Sequence, residues 1–181
     1  MIAQVVSGGG GANPVEYLTR GIGDWALQLL LITLSVSPLA RVLRQPVLLR
    51  YRRAIGLHMF FYAFCHLMTY LWFDQFFDWG EIVHDIVERP FILAGFVSFV
   101  MLIPLAATSN RFAVARLMEH WKTLHKLIYV IACVALLHYW WMVRADFSKA
   151  WLYMLILVAL LGYRIAVYAL RLRRERAHSL C

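Results

Sequence analysis

Seven histidines occur in the 181-residue chain, and two of them, His66 in FFYAFCHLMTYLWF and His138 in VALLHYWWMV, interrupt apolar runs that carry no charged side chain. An imidazole in such a run is costly to desolvate, so it faces the interior of a helix bundle rather than lipid. There it either hydrogen-bonds between helices or offers a ring nitrogen as a ligand. Counted from the basic boundaries at Arg52 and Lys122, His66 lies 14 residues and His138 16 residues along its run. On two spans of the same direction they sit at similar depth. Two imidazoles facing each other at one depth can ligate heme iron from both axial positions, giving a six-coordinate centre suited to electron transfer rather than oxygen chemistry.

His125 precedes His138 by 13 residues, an axial offset of about 20 Å on a continuous helix, which suits two hemes stacked through a bilayer. That interval is not a whole number of turns, so it supports two depths and not one shared face. The positions 13 and 14 before His66 are Arg53 and Arg52, leaving His58 as a candidate second inner ligand, with core packing at least as good a reading. His84, His120 and His178 lie in connections or the tail, where a solvated imidazole is ordinary. Gly56, Ala63 and Thr69 near His66, and Ala132, Cys133 and Ala135 before His138, are small enough to leave space for a cofactor or to let helices pack closely. Trp72, Tyr139, Trp140 and Trp141 read first as an interfacial aromatic belt.

The elements that must position these histidines follow from hydropathy. The chain is 62% hydrophobic and 15% charged, with a mean hydropathy of +0.67, and a spanning helix needs roughly 20 apolar residues. Five apolar runs, at about 24–41, 53–73, 90–108, 123–143 and 150–171, predict an all-α polytopic membrane bundle of about five transmembrane helices with heme held between them. Residues 1–23, glycine-rich and polar, are expected to be a flexible segment, 24–171 the heme domain and 172–181 a basic cytoplasmic tail. Arg41, Arg44, Arg50, Arg52 and Arg53 lie in one connection, whereas Asp74, Asp78, Glu81, Asp85 and Glu88 dominate the next. The positive-inside rule then places the N-terminus outside and the C-terminus in the cytoplasm. The net charge of +8 is explained by this topology better than by nucleic-acid binding. Cys65, Cys133 and Cys181 form no metal-binding or disulfide pattern. The short tail leaves no room on that side for a nucleotide-binding domain, so any electron donor is expected to be a separate molecule.

The segments NPVEYLTRGIGDWAL, TLSVSPLARVLRQP, RRAIGLHMFFYAFCHLMTY, ERPFILAGF, LAATSNR and HWKTLHKLIYVIACVALLHYWW resemble, in order and spacing, the MsrQ (YedZ) family of the ferric reductase-like transmembrane group. Members often have a further N-terminal spanning helix, whereas this sequence starts shortly before NPVEYL. The resemblance marks His66, His125 and His138 as heme-associated and does not require histidine at His58, His84 or His120. It implies b-type heme, one or two per chain, with FMN or quinone as further candidate cofactors. It also implies a bacterial inner-membrane location, a cytoplasmic flavin reductase or the quinone pool as donor, and the periplasmic molybdopterin enzyme MsrP as acceptor, on which substrate reduction would occur. Two other functions compete with this electron conduit: a self-contained ferric or quinone reductase, and a non-redox membrane anchor whose histidines only bridge helices.

Overall fold

The sequence Asn-Pro-x-Glu starts a helix. The Asn13 side-chain carbonyl accepts the Glu16 backbone N–H at 3.1 Å, and Pro14 occupies the first helical position, where a missing N–H costs nothing. Glu16, paired with Arg20 at 2.6 Å, complements the positive end of the helix dipole. In the computed structural model, which describes residues 13–143 and 147–178, helix α1 accordingly spans Pro14–Val42. The segment expected to be flexible up to residue 23 is therefore helical from Pro14. Residues 1–12 and Cys181 lie outside the described residues.

Helix α1 stops in a Schellman motif, with the Gln45 N–H bonded to Ala40 O at 2.9 Å and Arg44 in the left-handed region at φ 55°, a position usually given to glycine. A 3-10 turn, Pro46–Arg50, leads into α2, Tyr51–Thr69, whose end widens into a π turn, Tyr70–Asp74. Then follow α3, Trp79–Glu88, and α4, Pro90–Ala107. The last three are α5, Arg111–Leu124, α6, Leu127–Met142, and α7, Ser148–His178.

Four segments are long and apolar enough to cross a membrane, namely Pro14–Val42, Pro46–Asp74, Pro90–Ala107 and Ser148–Arg173. Helices α5 and α6, at 50° to each other, pass the same length and composition test only when taken together, which gives a fifth crossing if the bent pair is one span. Composition explains the bend. Helix α5 carries Arg111, Arg116, Glu119 and Lys122, whereas α6 carries no charge, so only α6 suits hydrocarbon. The single continuous run expected over 123–143 is thus interrupted at His125 and Lys126.

The bundle is built from two closely packed pairs, α1 with α2 and α4 with α6, with α7 laid against α1 and α6. Leu34 and Ile131 are its most deeply buried large side chains. Leu155, Val158 and Ile165 of α7 are exposed, as expected of side chains that face acyl chains.

Two of the connections between apolar runs are helical. Asp78 caps α3 by accepting Gly80 N–H at 2.9 Å and Glu81 N–H at 3.2 Å, and Asn110 caps α5 through Ala113 N–H at 2.7 Å. Asp85, read from sequence as one of five acids facing the outer surface, is only 4% exposed. It accepts hydrogen bonds from Tyr70 Oη at 3.1 Å and Gln75 Nε2 at 2.5 Å and pairs with Arg89 at 3.1 Å, tying α3 to the end of α2.

Pro38 lies inside α1, and its missing N–H frees the carbonyl of Leu34 four residues earlier. Arg164 of α7 supplies the partner, donating from Nη2 to Leu34 O at 2.8 Å, while Nη1 donates to the Tyr129 hydroxyl of α6. One guanidinium thereby ties three helices. Replacing Arg164 by Met should lower stability by about 1–3 kcal/mol, the usual cost of orphaning a buried polar group. The loss should shrink in a Pro38→Ala background, because alanine restores the intrahelical donor to Leu34. Thermal unfolding of the four proteins measures this coupling, and equal losses in both backgrounds would refute it.

Candidate functional site

Packing of the two helix pairs brings His66 of α2 and His138 of α6 together, with ring centroids 6.2 Å apart and planes at 69°. Each ring is held from behind by the partner helix of its own pair. His66 Nδ1 donates to Thr19 O of α1 at 2.9 Å, and His138 Nδ1 donates to Phe91 O of α4 at 2.6 Å. A carbonyl only accepts, so Nδ1 carries the proton and Nε2 of each neutral ring keeps its lone pair. Neither ring can then donate to the other. The interhelical hydrogen bond of a purely structural histidine is present, but it uses Nδ1 and leaves both Nε2 atoms as acceptors.

That arrangement fits a metal. A bound imidazole commonly gives its second nitrogen to a backbone carbonyl, which fixes tautomer and ring orientation. A metal about 2 Å from each Nε2, with roughly another 1 Å from nitrogen to ring centre, sets the centroids about 6 Å apart. Among the described residues no group of three or more His, Cys, Asp or Glu side chains is placed to hold a bare ion. Two protein nitrogens suffice only if another molecule fills the remaining positions, as a porphyrin does for iron.

The backbone approach to each ring is close. A Cβ built on Gly23 would lie 2.9 Å from His66 Cε1, and one built on Gly95 would lie 2.8 Å from His138 Cε1. Thr19, Gly23 and His66 therefore correspond to Phe91, Gly95 and His138, each 72 residues further on. No repeat is evident from residue identities, yet the site is built twice. The small residues singled out from sequence have other places: a Cβ on Gly56 meets only Thr33 Cγ2 at an ordinary 3.7 Å, Thr69 and Ala132 are buried, Ala63 and Ala135 pack on the core, and Cys133 is exposed. Thr19, Gly23, Phe91 and Gly95 were missed by sequence reasoning. The two glycines were the available signal, through their common 43-residue interval to a histidine.

His125 occupies a separate environment, at the turn between α5 and α6. Its Nδ1 lies 3.1 Å from Trp121 O, its ring stacks on Trp121 at 3.9 Å, and its Nε2 is buried without a partner. The Leu105 carbonyl also acts on the ring, but without a hydrogen bond of normal geometry to Nε2, which leaves that nitrogen open to a better partner. His125 lines a cavity of about 610 Å³ together with Arg52, Arg53 and Arg111 and the apolar Met59 and Leu102. The chemistry suits a flat apolar ligand bearing anionic groups. His58 does not join it. That ring is exposed on α2 with Nδ1 2.8 Å from Ala54 O. His84 is likewise exposed and pairs with Glu88 at 3.1 Å. Near the His pair, Tyr139 packs edge-on to Tyr153 of α7 at 5.4 Å and Trp140 to Trp151 at 5.0 Å, so these two aromatics also fasten α6 to α7.

Residues 20–136 match the family model described as ferric reductase like transmembrane component. Among curated relatives, a protein of Herminiimonas arsenicoxydans is 49% identical over 86% of this chain and 72% of its own length. One of Polaromonas naphthalenivorans is 46% identical over 93% and 78%, and one of Xanthomonas campestris pv. campestris is 47% identical over 86% and 71%. All three carry the name protein-methionine-sulfoxide reductase heme-binding subunit MsrQ. No solved structure matches the chain.

The glycine contacts give a direct test. In Gly23→Ala or Gly95→Ala the new methyl group pushes the adjacent imidazole off its carbonyl, so the orientation of its Nε2 is no longer fixed. Loss of such a supporting interaction typically weakens metal affinity by about 10–100-fold. Titration of the purified variants with hemin, followed by the low-spin absorption bands, should report a loss of that size. Wild-type affinity in both variants would mean that the close approach does not position the rings.

Proposed function

The chain belongs to the ferric reductase-like transmembrane family and, within it, to the MsrQ heme-binding subunits, and from that premise we propose that it is a transmembrane b-type heme subunit that carries electrons across the bacterial inner membrane to the periplasmic methionine sulfoxide reductase MsrP. The observation that carries this reading is the His66–His138 pair, 6.2 Å apart with each Nδ1 committed to a backbone carbonyl. Bound heme supplies the one-electron chemistry, and the protein supplies its ligands and surroundings. His66 and His138 would hold the iron of a heme through their Nε2 atoms. Thr19 O and Phe91 O fix the tautomer of each neutral imidazole so that the proton sits on Nδ1 and Nε2 keeps its lone pair, and Gly23 and Gly95 allow the helices to approach closely enough to do so. A heme held by two protein imidazoles would supply electron transfer rather than oxygen chemistry.

His125 is assigned to a second, inner heme. Its orphaned Nε2 and the flanking Arg52, Arg53 and Arg111 support that reading, because guanidinium groups pair with carboxylates such as heme propionates. His58, the other inner candidate, is exposed with Nδ1 on Ala54 O and is not among the residues lining that cavity. The arginine-rich end faces the cytoplasm and the His66–His138 end the periplasm, by the positive-inside rule. The N-terminus is then periplasmic and the C-terminus cytoplasmic. Electrons enter from a cytoplasmic flavin reductase, with FMN as carrier, or from the quinone pool, and the reduction of oxidised methionine takes place on MsrP.

Reduced-minus-oxidised spectra and heme-to-protein ratios test the assignment. His66→Ala and His138→Ala should each abolish the same low-spin signal, whereas His125→Ala should lower the ratio and leave that signal intact. If both outer variants keep wild-type heme content and spectrum, the pair is not the ligand set; a wild-type ratio of one heme per chain, unchanged in His125→Ala, would remove the inner heme.

The acceptor is tested in oriented vesicles. Heme reduced from the inside should be reoxidised by MsrP added outside. Failure with MsrP combined with rapid reduction of ferric chelates would favour a self-contained metalloreductase.

A further inference from the structure

A second cavity, of about 600 Å³, lies between the last part of α1, the start of α6 and the second half of α7, away from the cavity of His125. Arg41, Arg164 and Arg171 line it together with Ser37, Tyr163 and Tyr168, and no carboxylate does. Three guanidinium groups around one space repel one another unless an anion joins them. Arg164 is already fixed in place, since two of its nitrogens are spent on Leu34 O and the Tyr129 hydroxyl and its ring-facing cation sits 4.8 Å from the Tyr129 centroid. Each Nη nevertheless carries a second N–H. Arg41 and Arg171 are exposed and unencumbered by any carboxylate of the cavity.

The surroundings of the cavity identify the source of the anion. Ile165 and Tyr168, which also line it, are 68% and 64% exposed on a helix apolar enough to span the membrane, so that side opens to acyl chains. A ligand that satisfies both halves is anionic at one end and hydrocarbon at the other. Basic pockets between membrane helices bind anionic lipid headgroups in this way, and arginine pairs with phosphate oxygens in a bidentate fork.

We infer that the cavity between α1, α6 and α7 is a binding site for the phosphate of an anionic phospholipid, held by Arg41, Arg164 and Arg171. Occupancy joins α7 to α1 and α6 from the lipid side, where Arg164 already joins them from within. The inference goes beyond the electron-transfer reading and stands independently of heme.

The full-length protein, purified in mild detergent, is incubated with equimolar phosphatidylglycerol and phosphatidylcholine, and the retained lipid is counted by native mass spectrometry. Phosphatidylglycerol should be retained preferentially. Arg41→Gln combined with Arg171→Gln should cut that retention by about tenfold or more, given the usual worth of each basic side chain toward anionic lipid. Arg164 is left intact because its loss also opens the Leu34 contact. A charge-matched control, Arg50→Gln combined with Arg173→Gln, removes two basic groups outside the cavity and should retain lipid as the wild type does. Equal retention of the two lipids, or equal losses in the cavity and control variants, would overturn the site in favour of diffuse surface charge. A competition arm with inorganic phosphate and FMN separates the sources: displacement of phosphatidylglycerol by either at micromolar concentration would overturn the lipid assignment.

Discussion

The hydrogen bond from each imidazole Nδ1 to a carbonyl of the neighbouring helix is the contact on which the rest of this structure depends. A helix carbonyl is normally committed to the N–H four residues on, so a second donor reaches it only if the two helices lie close and the ring stands upright between them. Both conditions are met twice, at His66 with Thr19 and at His138 with Phe91. The consequence is chemical as well as structural. One bond fixes the tautomer, aims the free lone pair and sets the separation of the two helices, which is why the bundle is made of tight pairs, α1 with α2 and α4 with α6, that meet at the histidines.

Close approach then constrains the residues opposite each ring. At Gly23 and Gly95 any side chain would occupy the volume of the imidazole itself, so the requirement is for absent volume and not for backbone freedom. The same constraint accounts for the early start of α1. Thr19 can present its carbonyl to His66 only if the chain is already helical there, and the Asn13 cap, Pro14 and Glu16 begin the helix soon enough to provide it.

These relations explain what could be read in the sequence. The apolar runs and the equal depth of His66 and His138 were legible, because desolvation of backbone and imidazole is expressed in residue types. The family assignment was legible from ordered motifs. The carbonyls of Thr19 and Phe91 were not, since every residue has one and its use depends on helix proximity. The bend at His125 was hidden by counting Thr123 to Val143 as one apolar run, although the change from charged α5 to uncharged α6 was visible in composition. Arg164 went unremarked for a similar reason: its significance lies in Pro38, 126 positions earlier, whose missing N–H leaves Leu34 O in need of a donor.

The repeated architecture also clarifies why the two ends of the bundle differ. Moving back 72 positions from His138 gives His66, but moving back 72 from His125 gives Arg53. The end of the bundle at His66 and His138 therefore has two matched imidazoles, while the end at His125 places one imidazole on a cavity with Arg52, Arg53 and Arg111. Arginine remains protonated and so cannot ligate iron; at that position it contributes positive charge instead of a lone pair. Under the proposed assignment His66 and His138 would together hold one heme, whereas the His125 cavity offers one imidazole and a cationic wall. A wall of that sign favours anionic partners, including propionates, a reduced flavin or a semiquinone, at the end where reducing equivalents are proposed to arrive.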